Sequence, residues 1–143
     1  METDYSMQKA FGQVIRLEFL HMHKLLKNTG IYPGQPPLIF ALHKKDGQSQ
    51  KELADNLSIK PATMTVMIKR MEKANMVERK PDSKDQRITR VFLTDKGQQA
   101  YKSLIEVHKT IEKISFSNFS DQEREDFRRY LVRIKDNLQE NNN

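Results

Sequence analysis

Residues 50–80, QKELADNLSIKPATMTVMIKRMEKANMVERK, contain two helical patterns that are separated by a tight turn. Ser49 and Glu52 form a capping box, in which each side chain satisfies a backbone N–H group at the start of a helix. This box predicts a short helix from Gln50 to Leu57. Ser58–Lys60 then forms the turn, so the segment predicts a helix-turn-helix.

The second helix of this segment is predicted to have one buried face and one basic face. Pro61 suits its first position, because the N–H that proline lacks would have no helical partner there, and the helix runs to about Ala74. Apolar residues at helical spacing predict the buried face: Met64, Met67, Ile68 and Met71. The opposite face has no acidic side chain: Ala62, Thr65, Val66, Lys69, Arg70 and Lys73. Such a face suits the major groove of DNA, where small and hydroxyl side chains approach base edges and cations meet phosphates.

A β-hairpin with a polar, basic tip is predicted directly after this helix. Val77–Lys80 is a strand candidate, residues 81–86 (PDSKDQ) are rich in turn formers, and Ile88–Leu93 is rich in β-branched and aromatic residues. A protruding loop with an arginine can enter the minor groove next to a recognition helix, where negative potential is concentrated. The segment therefore predicts a winged helix-turn-helix.

Amphipathic helices flank this lobe on both sides. Apolar residues at helical spacing, and a second capping box, predict four of them: Ser6–Lys27, Pro37–Lys45, Asp95–Ser115 and a last helix that Ser120 and Glu123 open. The predicted fold class is therefore mostly α with a small β-hairpin. Much of the apolar surface of such long helices needs a partner chain.

The excess positive charge is concentrated in the middle of the chain. The whole chain has 25 Lys and Arg against 19 Asp and Glu, which gives a net charge of +6. Residues 44–90 hold twelve of the basic and seven of the acidic residues, and therefore +5 of that charge. A localised basic face suits a polyanionic partner, either nucleic acid or an acidic membrane surface.

Several classes of protein are disfavoured by what the sequence lacks. Without cysteine there is neither a disulfide nor a thiolate metal site. The first ten residues lack a signal-peptide pattern, and no apolar run approaches the ~18 residues of a membrane span, so we expect a cytoplasmic protein without a membrane partner. No Gly-x-Ser-x-Gly elbow, phosphate loop or HExxH motif occurs, so we expect no enzymatic activity, catalytic residue or cofactor.

Residues 85–94, DQRITRVFLT, match the DxRxxxxxLT signature of the MarR family of bacterial and archaeal regulators. Residues 50–80 also resemble the helix-turn-helix of that family, and the order of helices is similar over almost the whole chain. The resemblance implies a transcriptional regulator that binds pseudo-palindromic double-stranded DNA as a homodimer, with half-sites ~10 base pairs apart. In a single MarR-like chain, 1–143, it implies a DNA-binding lobe at 35–94 and a helical dimerisation region at 5–29 and 95–139.

The resemblance also implies which residues contact DNA. The second helix of the helix-turn-helix would face the major groove, Arg87 would reach the minor groove, and Asp85 would hold Arg87 in position; a surface ion pair is the alternative for these two residues. Lys69 stands where the family often has arginine, and because lysine lacks the guanidinium fork, a phosphate contact is expected there. The full predicted set is Gln50, Lys60, Pro61, Thr63, Thr65, Val66, Lys69, Arg70, Lys84, Asp85 and Arg87, in which Gln50 and Lys60 are phosphate contacts.

Three histidines are candidate effector contacts. His21, His43 and His108 fall on helices that border a cleft in the family, where its members commonly bind small aromatic or phenolic anions; a structural role is the alternative. No two histidines have the i, i+4 spacing that places two imidazoles on one helical face, so no metal site is predicted. The methionines of the recognition helix are expected to fill the core.

Two functions remain open at this point. The first is a ligand-responsive, sequence-specific repressor, in which an effector changes the spacing or mobility of the recognition helices. The second is a winged-helix module that contacts other proteins, or coats DNA without sequence choice.

Overall fold

The computed structural model describes residues 2–142, with side chains described from Ser6 onward. The described residues form six helices and three strands in this order: α1 Glu2–Leu26, α2 Pro36–Lys44, β1 Gln48–Ser49, α3 Gln50–Asn56, α4 Pro61–Lys73, β2 Val77–Pro81, β3 Thr89–Leu93, α5 Asp95–Ser115 and α6 Asp121–Glu140. The predicted fold class, mostly α with a small β-hairpin, is confirmed. The chain divides into two compact units, Met1–Lys109 and Thr110–Asn143.

Local side-chain chemistry starts two of the helices. The hydroxyl of Ser49 accepts from the N–H of Glu52 at 3.0 Å, and the Glu52 carboxylate accepts from the N–H of Ser49 at 2.8 Å. Ser120 and Glu123 form the same pair of bonds, at 3.1 and 2.8 Å. Both predicted capping boxes are therefore confirmed.

The sheet has one strand more than the predicted hairpin. Its order is β1-β3-β2, and both pairings are antiparallel, so β3 lies in the centre. The prediction missed β1, because two residues are too few to show a strand period. Gly47 leads into β1 with a positive φ of 71° and donates its N–H to the carbonyl of Val91 at 3.0 Å. The hairpin strands also differ slightly from prediction: β2 extends to Pro81, and β3 begins at Thr89 rather than Ile88.

One apolar core holds the helices of the first unit against this sheet. Its fully buried side chains come from α2, α3, α4, α5 and the strand region: Leu38, Ile39, Leu42, Leu53, Met64, Ile68, Met71, Met76, Val77, Val91 and Leu104. Met67 was predicted to be buried with the other α4 methionines, but it is only half-buried. It faces the turn before α2 at the edge of the core, where solvent reaches it.

The second unit contains the end of α5, a short turn and α6. Phe116 packs edge-on against Phe119, with ring centroids 5.2 Å apart, and also contacts Phe127 at 5.8 Å. Arg124 donates to the carboxylate of Glu112 at 2.6 Å. These contacts fix the corner between the two helices, although no residue of α6 is buried.

The two terminal helices expose apolar side chains. On α1, Phe11, Val14, Ile15 and Leu20 are between 39% and 57% exposed, and on α6 the corresponding values for Phe127, Tyr130, Leu131, Ile134 and Leu138 are between 38% and 62%. No helix among the described residues combines the length and the apolar character that crossing a membrane requires.

Candidate nucleic-acid interface

The helix-turn-helix is held together by buried side chains and a backbone turn. Leu53 and Ala54 of α3 are buried, as is the inner face of α4. Ser58 takes a positive φ of 51°, and the N–H of Ile59 donates to the carbonyl of Ala54 at 2.9 Å. This turn leaves most of the outer face of α4 exposed to solvent.

The outer face of α4 carries most of the predicted DNA contacts. Five of these residues are exposed along it: Pro61, Thr63, Val66, Lys69 and Arg70. Lys60, which precedes the helix, is exposed as well. Because this surface is basic and contains no carboxylate, it matches the charge of a DNA backbone.

Thr65 and Gln50 are brought together, which the sequence did not predict. The hydroxyl of Thr65 donates to the carbonyl of Pro61 at 3.0 Å, and the Gln50 amide donates to that hydroxyl at 3.4 Å. Both side chains are half-buried. The second bond is long and therefore weak, so the Gln50 amide can exchange it for another acceptor.

Two carboxylates organise the tip of the hairpin, which we call the wing (residues 82–88). Asp85 accepts from Nε and Nη2 of Arg87 at 3.0 and 3.1 Å, and from the backbone N–H of Arg87 at 3.1 Å. The Arg87 side chain is nevertheless 91% exposed. These hydrogen bonds from Arg87 lower the pKa of Asp85 below its usual range, so the pair is ionised at neutral pH.

Asp82 of the wing and Arg90 of β3 form a further pair at the candidate site, which the sequence analysis missed. Arg90 donates through Nε to Asp82 at 2.5 Å, and Asp82 also accepts from the N–H groups of Lys84 and Asp85, both at 3.0 Å. Asp82 stands at the start of the turn-rich PDSKDQ stretch, where a side-chain-closed turn is common, and that signal could have revealed it. Lys84 itself is exposed.

The candidate effector histidines are only partly brought together. His43 stacks on Tyr101 with ring centroids 3.4 Å apart, and its Nδ1 lies 3.2 Å from the Gln98 amide oxygen. His108 contacts Phe40 at 5.3 Å, and Phe40 contacts Tyr101 at 5.7 Å. These four rings form one cluster between α2 and α5. Among the described residues, no ring contact or hydrogen bond joins His21 to this cluster.

A hollow of about 540 Å³ lies between α4 and the turn that precedes α2. Two cations, an aromatic ring and a thioether contribute to its wall, which consists of Tyr32, Gly34, Gln35, Met67, Arg70, Lys73 and Ala74. The described residues contain no cluster of three or more His, Asp or Glu that could hold a metal ion.

The fold and this surface define a winged helix-turn-helix DNA-binding protein, and comparisons with known proteins agree. The sequence model of the MarR family matches residues 31–89. A MarR transcriptional regulator from Methanosarcina mazei Go1 has a similar solved structure, with a TM-score of 0.80 and 30% identity over 94% of this chain and 98% of that one. The HTH-type transcriptional regulator YdgJ of Bacillus subtilis is 32% identical over 77% of this chain and 67% of its own length. The HTH-type transcriptional repressor MdtR of the same organism is 28% identical over 77% of this chain and 68% of its own length.

The chain therefore belongs to the MarR family, and it is a DNA-binding transcription regulator. Regulators of this family bind DNA and act as dimers. The relatives named above are transcriptional regulators rather than enzymes.

Proposed function

We propose that this protein is a sequence-specific, ligand-responsive repressor that binds pseudo-palindromic double-stranded DNA as a homodimer. The observation that carries the proposal is the combination of an acid-free outer face on α4 with a wing that presents a 91% exposed arginine, Arg87. Two such lobes, related by a two-fold axis, suit two half-sites of a palindrome. MdtR of Bacillus subtilis is an HTH-type transcriptional repressor, which supports the same role here.

Each candidate residue has a role in this proposal that follows from its position. Thr63, Thr65 and Val66 read base edges and thymine methyl groups in the major groove, because they are small enough to approach them. Arg87 enters the minor groove, where a narrow groove concentrates negative potential, and Asp85 holds Arg87 in position. The remaining residues position the protein on the phosphate backbone. They do so either with a charged or polar side chain or by their place at the N-terminal end of α4: Gln50, Lys60, Pro61, Lys69, Arg70 and Lys84.

The dimer is supported by the exposed apolar faces of α1 and α6. Residues 5–29 and 95–139 are the proposed dimerisation region, and residues 35–94 are the proposed DNA-binding lobe. A helix face that exposes several apolar side chains marks an interaction site.

Selection from a random DNA library tests sequence specificity. We expect the full-length protein to enrich a palindrome with half-sites about one helical turn, ~10 base pairs, apart. Enrichment of no sequence, together with binding to any duplex, would instead favour the module that coats DNA without sequence choice.

Replacement of Arg87 by alanine is expected to weaken binding to the selected operator by about 5- to 150-fold at fixed salt. The loss arises because the wing no longer carries a cation into the minor groove. Fluorescence anisotropy with labelled operator measures the affinity, and sedimentation should show an unchanged oligomeric state. Lys102→Ala removes an exposed charge from α5 and is the matched control, for which we expect no loss. Unaltered affinity in Arg87→Ala would refute the role of the wing.

The proposed effector is a small aromatic or phenolic anion. The hollow beside α4 supports this class, because Arg70 and Lys73 offer cations next to the apolar surfaces of Tyr32 and Met67. His21, His43 and His108 remain the alternative contacts. A ligand in the hollow would touch the recognition helix itself, and could therefore change DNA affinity directly.

We expect benzoate to raise the melting temperature of the protein by about 4 °C for each kcal/mol of binding free energy that it contributes. Tyr32→Ala should abolish this shift if benzoate occupies the hollow, whereas His43→Ala should abolish it if benzoate occupies the ring cluster. A full shift in both variants would mean that the effector binds at neither place. Phenol and zinc serve as comparison compounds in the same thermal-shift measurement.

A further inference from the structure

Arg90 joins three parts of the DNA-binding lobe. It lies on the central strand β3, opposite Ser49 of β1 and Lys80 of β2. Its Nε donates to Asp82 of the wing, and its Nη1 donates to the carbonyl of Gly47 at 3.0 Å. The same Nη1 lies 3.8 Å from the carboxylate of Glu52, in the first turn of α3.

Arg90 and Arg87 differ in what surrounds them. The side chain of Arg90 is 35% exposed and bonded to protein oxygens on two sides, whereas that of Arg87 is 91% exposed. Asp82, the partner of Arg90, is only 15% exposed. The hydrogen bond from Arg90 lowers the pKa of Asp82, so this pair is ionised at neutral pH.

A series of hydrogen bonds leads from Gly47, just before the helix-turn-helix, to the wing tip. Gly47 is bonded to Arg90 and Arg90 to Asp82, and Asp82 accepts from the N–H groups of Lys84 and Asp85. Asp85 in turn holds Arg87 through its carboxylate. The Arg90 contacts therefore help to fix the Arg87 guanidinium relative to α3, while the Arg79–Glu72 bonds join the same hairpin to α4.

We propose that Arg90 is a positioning residue for DNA binding, which fixes the wing to the helix-turn-helix so that α4 and Arg87 reach adjacent grooves together. This inference rests on the proposed DNA-binding mode. A wing held in place loses less conformational freedom when it binds, and preorganisation of this kind raises affinity without a new contact. Arg90 itself does not touch the DNA.

The competing explanation is a direct phosphate contact by Arg90, and salt dependence separates the two. The affinity constant K falls as salt rises, and loss of one phosphate contact makes the slope of log K against log salt shallower by about 0.9. Loss of a positioning residue leaves the slope unchanged, since the number of neutralised phosphates stays the same.

The test compares Arg90→Gln, Arg87→Ala and the double variant on the selected operator at several salt concentrations. We expect Arg90→Gln to weaken binding by roughly 3- to 30-fold through lost preorganisation, with an unchanged salt slope. In the Arg87→Ala background the same substitution should have little further effect, because the minor-groove contact that Arg90 positions is already gone. Arg90→Lys should restore part of the affinity, since an ammonium can pair with Asp82 but cannot also reach Gly47. Two outcomes would overturn the proposal. The first is a loss of affinity that adds to that of Arg87→Ala and comes with a shallower salt slope, and the second is no loss of affinity at all.

Hydrogen exchange of the free protein provides a second readout that needs no DNA. We expect the amides of Lys84 and Asp85 to exchange about tenfold faster in Arg90→Gln, because Asp82 is no longer held in place as their acceptor. Arg79→Gln is the matched control: Arg79 is 32% exposed on the same hairpin, but it is bonded to Glu72 on α4. If the Lys84 and Asp85 amides exchange at an unchanged rate in Arg90→Gln, Arg90 does not order the wing. Absence of operator binding in the wild type would instead refute the proposed function, while the exchange result would still stand.

Asp82→Asn is a second variant that tests the same pair if Arg90→Gln does not fold. It breaks the same pair from the wing side and leaves the Arg90–Gly47 bond in place. If Arg90 acts through Asp82, the two single variants and their combination should lose operator affinity to a similar extent. Independent losses that add in the combination would show that the two residues do not act as a unit.

Discussion

Truncation of the chain after Ser115 is expected to convert the proposed dimer into a monomer and to abolish measurable operator binding. The truncation removes α6, on which five apolar side chains at helical spacing are at least 38% exposed in the single chain: Phe127, Tyr130, Leu131, Ile134 and Leu138. Burial of such side chains contributes about 1.5–3 kcal/mol each when it is complete. Because these five side chains are 38–62% exposed in the single chain, their removal eliminates only that remaining part of the apolar burial, summed over five positions on each chain.

The truncated chain should still fold, which makes the result interpretable. None of the residues of α6 is buried, and the core of the first unit lies in α2 to α5 and the sheet. Circular dichroism should therefore show a helical protein with a cooperative unfolding transition. Operator binding is lost because a monomer can occupy only one half-site and loses the linked second lobe.

Sedimentation velocity at micromolar concentration measures the oligomeric state. A shorter truncation, after Glu140, removes only the polar residues 141–143 and should leave the dimer intact. Leu131→Glu offers a point variant, since a charge in a buried interface is strongly unfavourable. If the chain truncated after Ser115 still sediments as a dimer, the interface does not depend on α6.

Gly97→Ala is expected to destabilise the protein by roughly 3 kcal/mol, although alanine normally favours a helix over glycine. Gly97 lies in the first turn of α5, where an added Cβ would lie 2.2 Å from the carbonyl oxygen of Met76 and 2.9 Å from a methyl group of Leu93. The backbone oxygen cannot move aside without a shift of the whole helix end.

This close approach is part of a contact that joins the start of α5 to the residues directly after α4. The hydroxyl of Thr94 donates to the carbonyl of Asn75 at 2.5 Å, and Nζ of Lys96 donates to that of Ala74 at 2.8 Å. A shift of α5 would stretch these bonds, so we also expect weaker operator binding by Gly97→Ala.

Urea unfolding at one fixed protein concentration measures the change, because the stability of a dimer depends on concentration. Gly12→Ala is the matched control: this glycine lies within α1, and nothing lies within 4 Å of an added Cβ. There alanine should stabilise the helix by about 0.5–1 kcal/mol. The two substitutions are thus expected to have opposite signs, and equal effects would show that the contact at Met76 is not tight.

Local features of the candidate site could be predicted from the sequence. Asp85 and Arg87 are two residues apart, and the pair is present because a short loop brings such side chains together whatever surrounds it. The outer face of α4 was predictable because helical periodicity alone separates it from the buried methionines. The exception is Met67, which lies at the margin of the stripe, where the neighbouring turn decides how much solvent reaches it.

The sequence alone determined the helices, their caps and the basic recognition face, since each depends on side chains within about four residues of one another. Only the tertiary structure placed β1 beside β3 and Arg90 within reach of both Gly47 and Asp82. Those contacts join residues up to 43 positions apart, and their register is set by the packing of the whole lobe. The winged helix-turn-helix was therefore predictable from local pattern, whereas the support that orients its wing was not.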